Sequence, residues 1–275
     1  MFIVEKRNGN IKARKCAVGS KQRTFPGYVK SEWASPTVST DGVILTSTIE
    51  AHKGRDVAVI DLPNAFLNAD NNEQTLMLLK GKLAELMVQI DPKMYRKHII
   101  TSSKGEPMLY VRLSKALYGL LQIALLFYRK LRSELEEFGF EVNPYDPCVA
   151  NKMINGSQMT VTWHVDDLKI SHKHSREVTK CIEHFRKIYG DRMTIHRGKV
   201  HDYLGMDLDF SSNKVLKIGM IKYLKKILVE FPEEIKSAAA TPAAEHLFYV
   251  RETRTPESQR HYHSRLTPTF PVHSV

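Results

Sequence analysis

Three aspartates have residue types and positions that could do chemistry: Asp61, Asp166 and Asp167. The run Val57-Ala-Val-Ile60 has the pattern of a short buried strand, and it ends at Asp61. Asp166 and Asp167 fall between two strand-like runs, at what reads as a hairpin tip. A carboxylate at the end of a buried strand is costly unless it pairs, protonates or binds a metal. If the two strands are neighbours, three carboxylates converge. Like charges a few ångströms apart cannot all stay ionised without a cation. The hard divalent ion that suits such oxygen donors is Mg2+. Two such ions about 3.5–4 Å apart clamp an in-line phosphoryl transfer. The plain alternative is a turn, since Asp tolerates turn geometry. On these residues alone the turn is the stronger reading.

The elements that must position the aspartates follow from periodicity. Met159-Thr-Val-Thr-Trp163 and Leu168-Lys-Ile-Ser171 read as the outgoing and returning strands of the hairpin, with Cys148-Val-Ala as a strand before them. Leu117, Leu121, Ala124, Tyr128, Leu131, Leu135 and Phe138 recur at steps of four and three, which predicts one long amphipathic helix closed by Gly139. A second helix fits Ser175 to Tyr189, with Val178, Ile182, Phe185 and Tyr189 inward and Gly190 at its end. A third fits Ile221 to Phe231 and stops at Pro232. Residues 1–56 read as polar with short strand-like runs such as Val43-Ile-Leu, and 71–108 as mixed, with turns at Asn71-Asn72 and Lys104-Gly105. Strands and helices are interspersed without regular βαβ alternation, so the expected fold class is α+β.

Composition narrows the partners. The net charge is +11, and the first thirty residues carry eight basic side chains against Glu5 alone. So uneven a basic field suits a polyanion such as nucleic acid, with a solvated basic face as the alternative. Cys16, Cys148 and Cys181 are isolated and odd in number, which argues against a disulfide framework or a zinc knuckle. His172-x-His174 reads as a pair of surface histidines, and Trp163, alternating with Val161, as sheet packing. No apolar run approaches the roughly 18 residues of a membrane span, and the first residues lack the order of a signal peptide. The expectation is an intracellular protein, cytoplasmic or nuclear, not secreted and without a membrane partner.

The words around these residues shift the balance. Asp61-Leu-Pro-Asn-Ala-Phe-Leu-Asn68 resembles the D-x-x-x-A-[FY]-L-[NH] box of copia-type reverse transcriptases. Leu117-Tyr-Gly-Leu-Leu-Gln-Ile-Ala124 resembles their L-Y-G-L-K-Q-A-P box, with Phe127-Tyr128 at their W-Y. Gly139-Phe-Glu-Val-Asn-Pro-Tyr-Asp-Pro-Cys148 resembles G-F-x-x-S-x-x-D-x-C, and His164-Val-Asp-Asp167 resembles Y-V-D-D. Tyr203-Leu-Gly-Met206, Lys12-Ala-Arg14 with Ala17 and Gly19, and Ser35-Pro-Thr37 resemble three further words in family order. Such agreement in order is far more specific than any single word.

The resemblance implies a right-hand polymerase that adds deoxynucleoside triphosphates to a primer on an RNA or DNA template. Fingers would span 1–56 and 75–115, palm 57–74 and 116–210, and a partial thumb 211–240, within a reverse transcriptase domain of 1–240. A tail of 241–275 reads as disordered, since 253–275 hold three prolines and no apolar periodicity. The resemblance makes Asp61, Asp166 and Asp167 catalytic. Asp61, Asp166 and, as the weaker ligand, Asp167 would hold two Mg2+ ions, or Mn2+ in their place, with the Leu62 carbonyl completing one of them. Adjacent strand residues face opposite ways, so Asp166 and Asp167 should differ in role, with Asp166 the stronger ligand. Phe66, Tyr118, Gly119, Lys12 and Arg14 would bind the nucleotide, and Tyr203, Leu204, Gly205 and Met206 would form the primer grip. For Phe66, Tyr118 and the Tyr203 word, core packing is the competing explanation. Departures exist too: His164 stands for the usual Tyr, Leu121 for Lys and Ala124 for Pro. They suggest a truncated copy, and leave open a nucleic-acid-binding remnant with little or no turnover.

Overall fold

A computed structural model describes residues 2–5, 11–14, 16–24, 28–71 and 75–230. It divides into two compact units, Met1–Met220 and Ile221–Val275. The first unit opens with strands β1 (Phe2–Glu5) and β2 (Ile11–Arg14), which pair antiparallel. A 3-10 turn, Gly19–Thr24, and the short helix α1 (Lys30–Trp33) lead to α2 (Thr40–His52). Then come β3 (Asp56–Asp61), the single turn α3 (Ala65–Asn68), β4 (Leu76–Lys80), α4 (Lys82–Ile90), α5 (Pro92–Tyr95), β5 (Ile100–Thr101) and β6 (Pro107–Arg112). The remainder is α6 (Ile123–Glu137), β7 (Glu141–Val142), β8 (Val149–Ile154), β9 (Ser157–His164), β10 (Asp167–His172), α7 (Ser175–Tyr189), β11 (Thr194–Arg197), β12 (Val200–Tyr203), β13 (Met206–Asp209) and β14 (Lys217–Gly219). The second unit is described over α8 (Ile221–Glu230). The mixture of helices with antiparallel sheets is α+β, as the sequence suggested.

One sheet organises the first unit. It has six strands in the order β11-β3-β10-β9-β8-β7. Alternation splits it into two faces. Leu168 and Ile170 of β10, Ala58 and Ile60 of β3, and Val161 and Trp163 of β9 face one way and are all buried. α6 and α7 cover that side: Trp163 stacks on Tyr128 of α6, and α7 packs on β10 and β3. The other face is unusual for a sheet interior, because Lys169, Ser171, Thr160 and Thr162 lie on it, all buried. α2 covers this polar side.

Helix α7 keeps the expected bounds and its four inward residues are buried, with Gly190 following at φ 80. Gly139 closes α6 at φ 87, where the left-handed conformation excludes most side chains. Three expectations need correction. The helix expected from Leu117 begins at Ile123, because Tyr118 and Gly119 form a turn, with Gly119 at φ 93. Val43-Ile-Leu, expected as a strand, lies inside α2, whose first turn is capped by the Ser39 side chain accepting from the Gly42 N–H. His172, expected at the surface, is fully buried, its ring bonded to Ser157 and His174 backbone. The expected end of the last helix at Phe231, residues 231–240 of the thumb and the tail 241–275 lie outside the described residues.

Candidate active site

Asp61 ends β3, and its partner across the ladder is Asp167, the first residue of β10. Residues directly opposite in an antiparallel pair point to the same side. Asp167 also faces His164 at the end of β9, so Val165 and Asp166 are the two central residues of a tight hairpin. The Leu62 N–H donates to the Asp166 carbonyl at 3.0 Å, tying the hairpin tip to the residue after Asp61. Strand pairing therefore brings Asp61 to the distant pair Asp166 and Asp167. Val165 has φ 57. A positive φ at the first central position is where a two-residue hairpin favours glycine, and a β-branched residue there is strained. Such strain persists only where surrounding structure holds it.

The electrostatics match this crowding. Burial pushes the Asp167 carboxyl up to about 7, and the carboxylates of Asp166, Asp61 and Asp202 add to the effect. Among the described residues, no three His, Cys, Asp or Glu side chains are drawn close enough to form a ready metal cage. The donor set nonetheless fits a hard cation: carboxylates that repel one another at a strand end, one of them exposed and two half-buried. A site of two carboxylates, one backbone carbonyl and substrate oxygens needs no third side chain.

A second group of candidates lies around α3 and the turn before α6. Phe66 is 6% exposed and meets Tyr118 edge-on, with ring centroids 5.4 Å apart and an interplanar angle of 88°. It also meets Phe127 at 6.1 Å. Gly119 and Gly19 are in mutual close approach. A Cβ on Gly119 would lie 2.0 Å from the Ala17 carbonyl oxygen, and one on Gly19 would lie 1.8 Å from the Gly119 carbonyl oxygen. The Ala17 N–H donates to the Tyr118 carbonyl at 2.6 Å. The N-terminal word and the L-Y-G word are thus one packed unit. Lys12 and Arg14 lie on β2, a few residues before this contact; their side chains fall outside the description.

The third candidate group, Tyr203–Met206, is the turn of the β12–β13 hairpin, with φ 53 at Leu204 and φ 77 at Gly205. Tyr203 is 1% exposed and donates its hydroxyl to the Thr162 carbonyl on β9 at 3.3 Å. The hairpin is thereby fixed to the sheet that carries the aspartates.

Sequence reasoning missed a polar layer under this sheet. Lys169 Nζ donates to both carboxylate oxygens of Glu50 on α2, at 2.5 and 2.6 Å, and to Thr46 Oγ1 at 3.2 Å. Arg55 Nη1 donates to Thr160 Oγ1 at 3.0 Å and Ser171 Oγ at 3.4 Å. Asp146, in the D-x-C word, accepts from the Ser39 N–H at 3.0 Å and the Ser39 hydroxyl at 2.8 Å. The only available signal was a lysine and a serine, Lys169 and Ser171, at alternate positions of a strand beginning at Asp167, a pattern that reads as a solvated face.

The family model described as reverse transcriptase (RNA-dependent DNA polymerase) matches residues 3–245. The Transposon Ty1-DR1 Gag-Pol polyprotein of Saccharomyces cerevisiae is 28% identical over 235 residues, which are 83% of this chain and 12% of that one. The truncated transposon Ty1-A Gag-Pol polyprotein of the same yeast is 28% identical over 83% of this chain and 17% of its own length. The chain therefore spans a small part of the curated relatives it matches. Among solved structures, apo telomerase from Candida tropicalis, truncated from its C-terminal domain, is similar at TM-score 0.38 and 13% identity, over 67% of this chain and 40% of that one. With the family model matched along most of its length and its words in family order, the chain belongs to the reverse transcriptase (RNA-dependent DNA polymerase) family, in its copia-type branch.

Proposed function

We propose that this chain is an RNA-directed DNA polymerase domain, adding deoxynucleotides to a primer annealed to an RNA or DNA template. The observation that carries the reading is the register that sets Asp61 opposite Asp167, with Leu62 bonded to Asp166. Asp61 and Asp166, with the Leu62 carbonyl, would hold two divalent cations, Mg2+ by preference. Those cations would supply the positive charge that makes a primer hydroxyl a better nucleophile and a pyrophosphate a better leaving group. Asp167 would keep its neighbours apart from the core and add negative charge below the cations. Phe66 would lie under the incoming sugar, where its ring leaves no room for a 2′-hydroxyl. Its edge-on contact with Tyr118 supports a shared nucleotide wall of Phe66, Tyr118 and Gly119. Lys12 and Arg14 would reach the triphosphate from the fingers, and Tyr203–Met206 would seat the primer end.

In this reading residues 1–56 and 75–115 are fingers, 57–74 and 116–210 palm, and 211–240 the start of a thumb, and the polymerase works inside the cell. Leu121 and His164 favour the second reading, a nucleic-acid-binding remnant, because Leu121 lacks the cation the family places near the nucleotide and His164 replaces the tyrosine it places near the duplex. A primer-extension assay separates the two. The parent should extend a primer with Mg2+. Asp166→Asn should lose extension by a thousandfold or more, a scale consistent with barrier changes of about 4 kcal/mol. Its primer–template binding should stay equal or tighten, since a charge repelling phosphate is gone. Extension by Asp166→Asn near the parent rate would remove the assigned role, and a parent that binds primer–template without extending it would establish the remnant.

A further inference from the structure

We propose that Glu50 and Lys169 are a positioning pair that fixes β10 against α2 and thereby sets where the hairpin tip holds Asp166 and Asp167; the inference rests on the assignment of those aspartates above. Lys169 lies two residues after Asp167 on the same face of β10. Both side chains of the pair are 0% exposed. The three ammonium protons of Lys169 find three acceptors, the two Glu50 oxygens and Thr46 Oγ1. A buried ion pair is a weak source of stability, because well-packed apolar residues of similar volume often do as well or better. What the pair provides is direction. An apolar contact tolerates sliding along the strand, whereas a three-acceptor ammonium does not.

The rest of the layer has the form of a mount. The start of α2 is clamped by Asp146 through Ser39, and a Cβ on Gly42 would come within 2.5 Å of the Asp146 carboxylate. Just past the end of α2, Arg55 bonds to Thr160 on β9 and Ser171 on β10. α2 is thus held at both ends and grips β10 near its middle, a few residues from the hairpin tip. Beyond that grip stands Val165 at φ 57, a conformation that relaxes unless both strands are held. Neither Glu50 nor Lys169 reaches reacting atoms; both act through the strand.

The deciding variant is the double Glu50→Leu/Lys169→Met, which leaves no buried charge unpaired. Mn2+ is the probe, its binding followed by electron paramagnetic resonance on the chain with primer–template. The double variant should melt near the parent and bind primer–template equally. It should bind Mn2+ at least tenfold more weakly and lose kcat by a similar factor with little change in nucleotide KM, the size expected when residues behind metal ligands are altered. Parent-like Mn2+ affinity and rate in the double variant would overturn the inference. If that variant does not fold, Thr46→Val decides: it removes one acceptor with no charge change, and a threefold or larger loss of Mn2+ affinity supports the pair while no loss overturns it. Asp166→Asn is the control for the underlying reading. If it binds Mn2+ like the parent, the aspartate assignment fails and the inference falls with it. If it abolishes binding while the double variant binds Mn2+ like the parent, the inference alone falls.

Discussion

Asp167 is the residue whose surroundings make the most specific demand on solution behaviour. Burial, Asp166, Asp61 and Asp202 raise its carboxyl to about 7. An unfolded aspartate titrates near 3.9. Between about 4 and 7, then, the folded chain keeps a proton that the unfolded chain has released, and stability falls as pH rises through that window. Chemical denaturation of the metal-free chain should show a loss of roughly 2–4 kcal/mol between about pH 4.5 and 8 from this group. Asp167→Asn should remove that slope, and Mg2+ should offset it above pH 7 in the parent. Equal slopes in parent and variant would dissociate the crowding from Asp167. The three aspartates were legible in the sequence because a strand end, a hairpin tip and family words coincide on them. Lys169 and Glu50 were not, because a charge buried by its partner has the same letter as a charge in water. Only the register, which sets Lys169 opposite Val59 beneath α2, separates the two.

Elements with strong apolar periodicity were read well and elements with polar inward faces were not. α7 buries Val178, Ile182, Phe185 and Tyr189, the four residues its spacing selects. α2 buries Thr46, Ser47 and Glu50 alongside Val43 and Ala51, so its inward face has no apolar stripe to detect. The turn before α6 was hidden for a different reason: Leu117 and Leu121 continue the apolar spacing of the helix, but Gly119 must admit the Ala17 backbone, a contact made from far along the chain. The three-stranded sheet β4-β6-β5 was missed because its strands are short and separated by helices α4 and α5. The β9–β10 hairpin is the element where geometry has a cost. Val165→Gly should relieve the positive φ and raise stability by about 1 kcal/mol. It should also lower kcat severalfold, since the tip becomes free to move the aspartates, with primer–template affinity unchanged. A gain in stability with kcat unaltered would mean that the strain has no part in holding the site.

At the scale of the molecule the charge distribution is the remaining argument. The chain carries +11 in all, and eight of its basic residues lie in the first thirty positions. Two uses compete for that field: the triphosphate, assigned to Lys12 and Arg14, and the template–primer backbone. β2 carries Lys12 and Arg14, and Ala17, just after it, bonds to Tyr118, so this segment runs to the residues proposed to border the nucleotide. The two uses differ in salt dependence. Each phosphate of a duplex that a basic residue neutralises contributes about −0.9 to the slope of log affinity against log salt. If about four phosphates are contacted, affinity for primer–template should fall roughly a hundredfold between 50 and 200 mM salt. If Lys12 and Arg14 hold the triphosphate as proposed, changing both to Gln should leave that slope alone and raise the nucleotide KM. Changing Lys6, Arg7, Lys15 and Arg23 to Gln should instead flatten the slope by up to one unit per contacted phosphate, with nucleotide KM unchanged. If the first pair flattens the slope as strongly as the second group, the basic N-terminal segment is a single duplex-binding surface, and the triphosphate must find its cations elsewhere in the fingers.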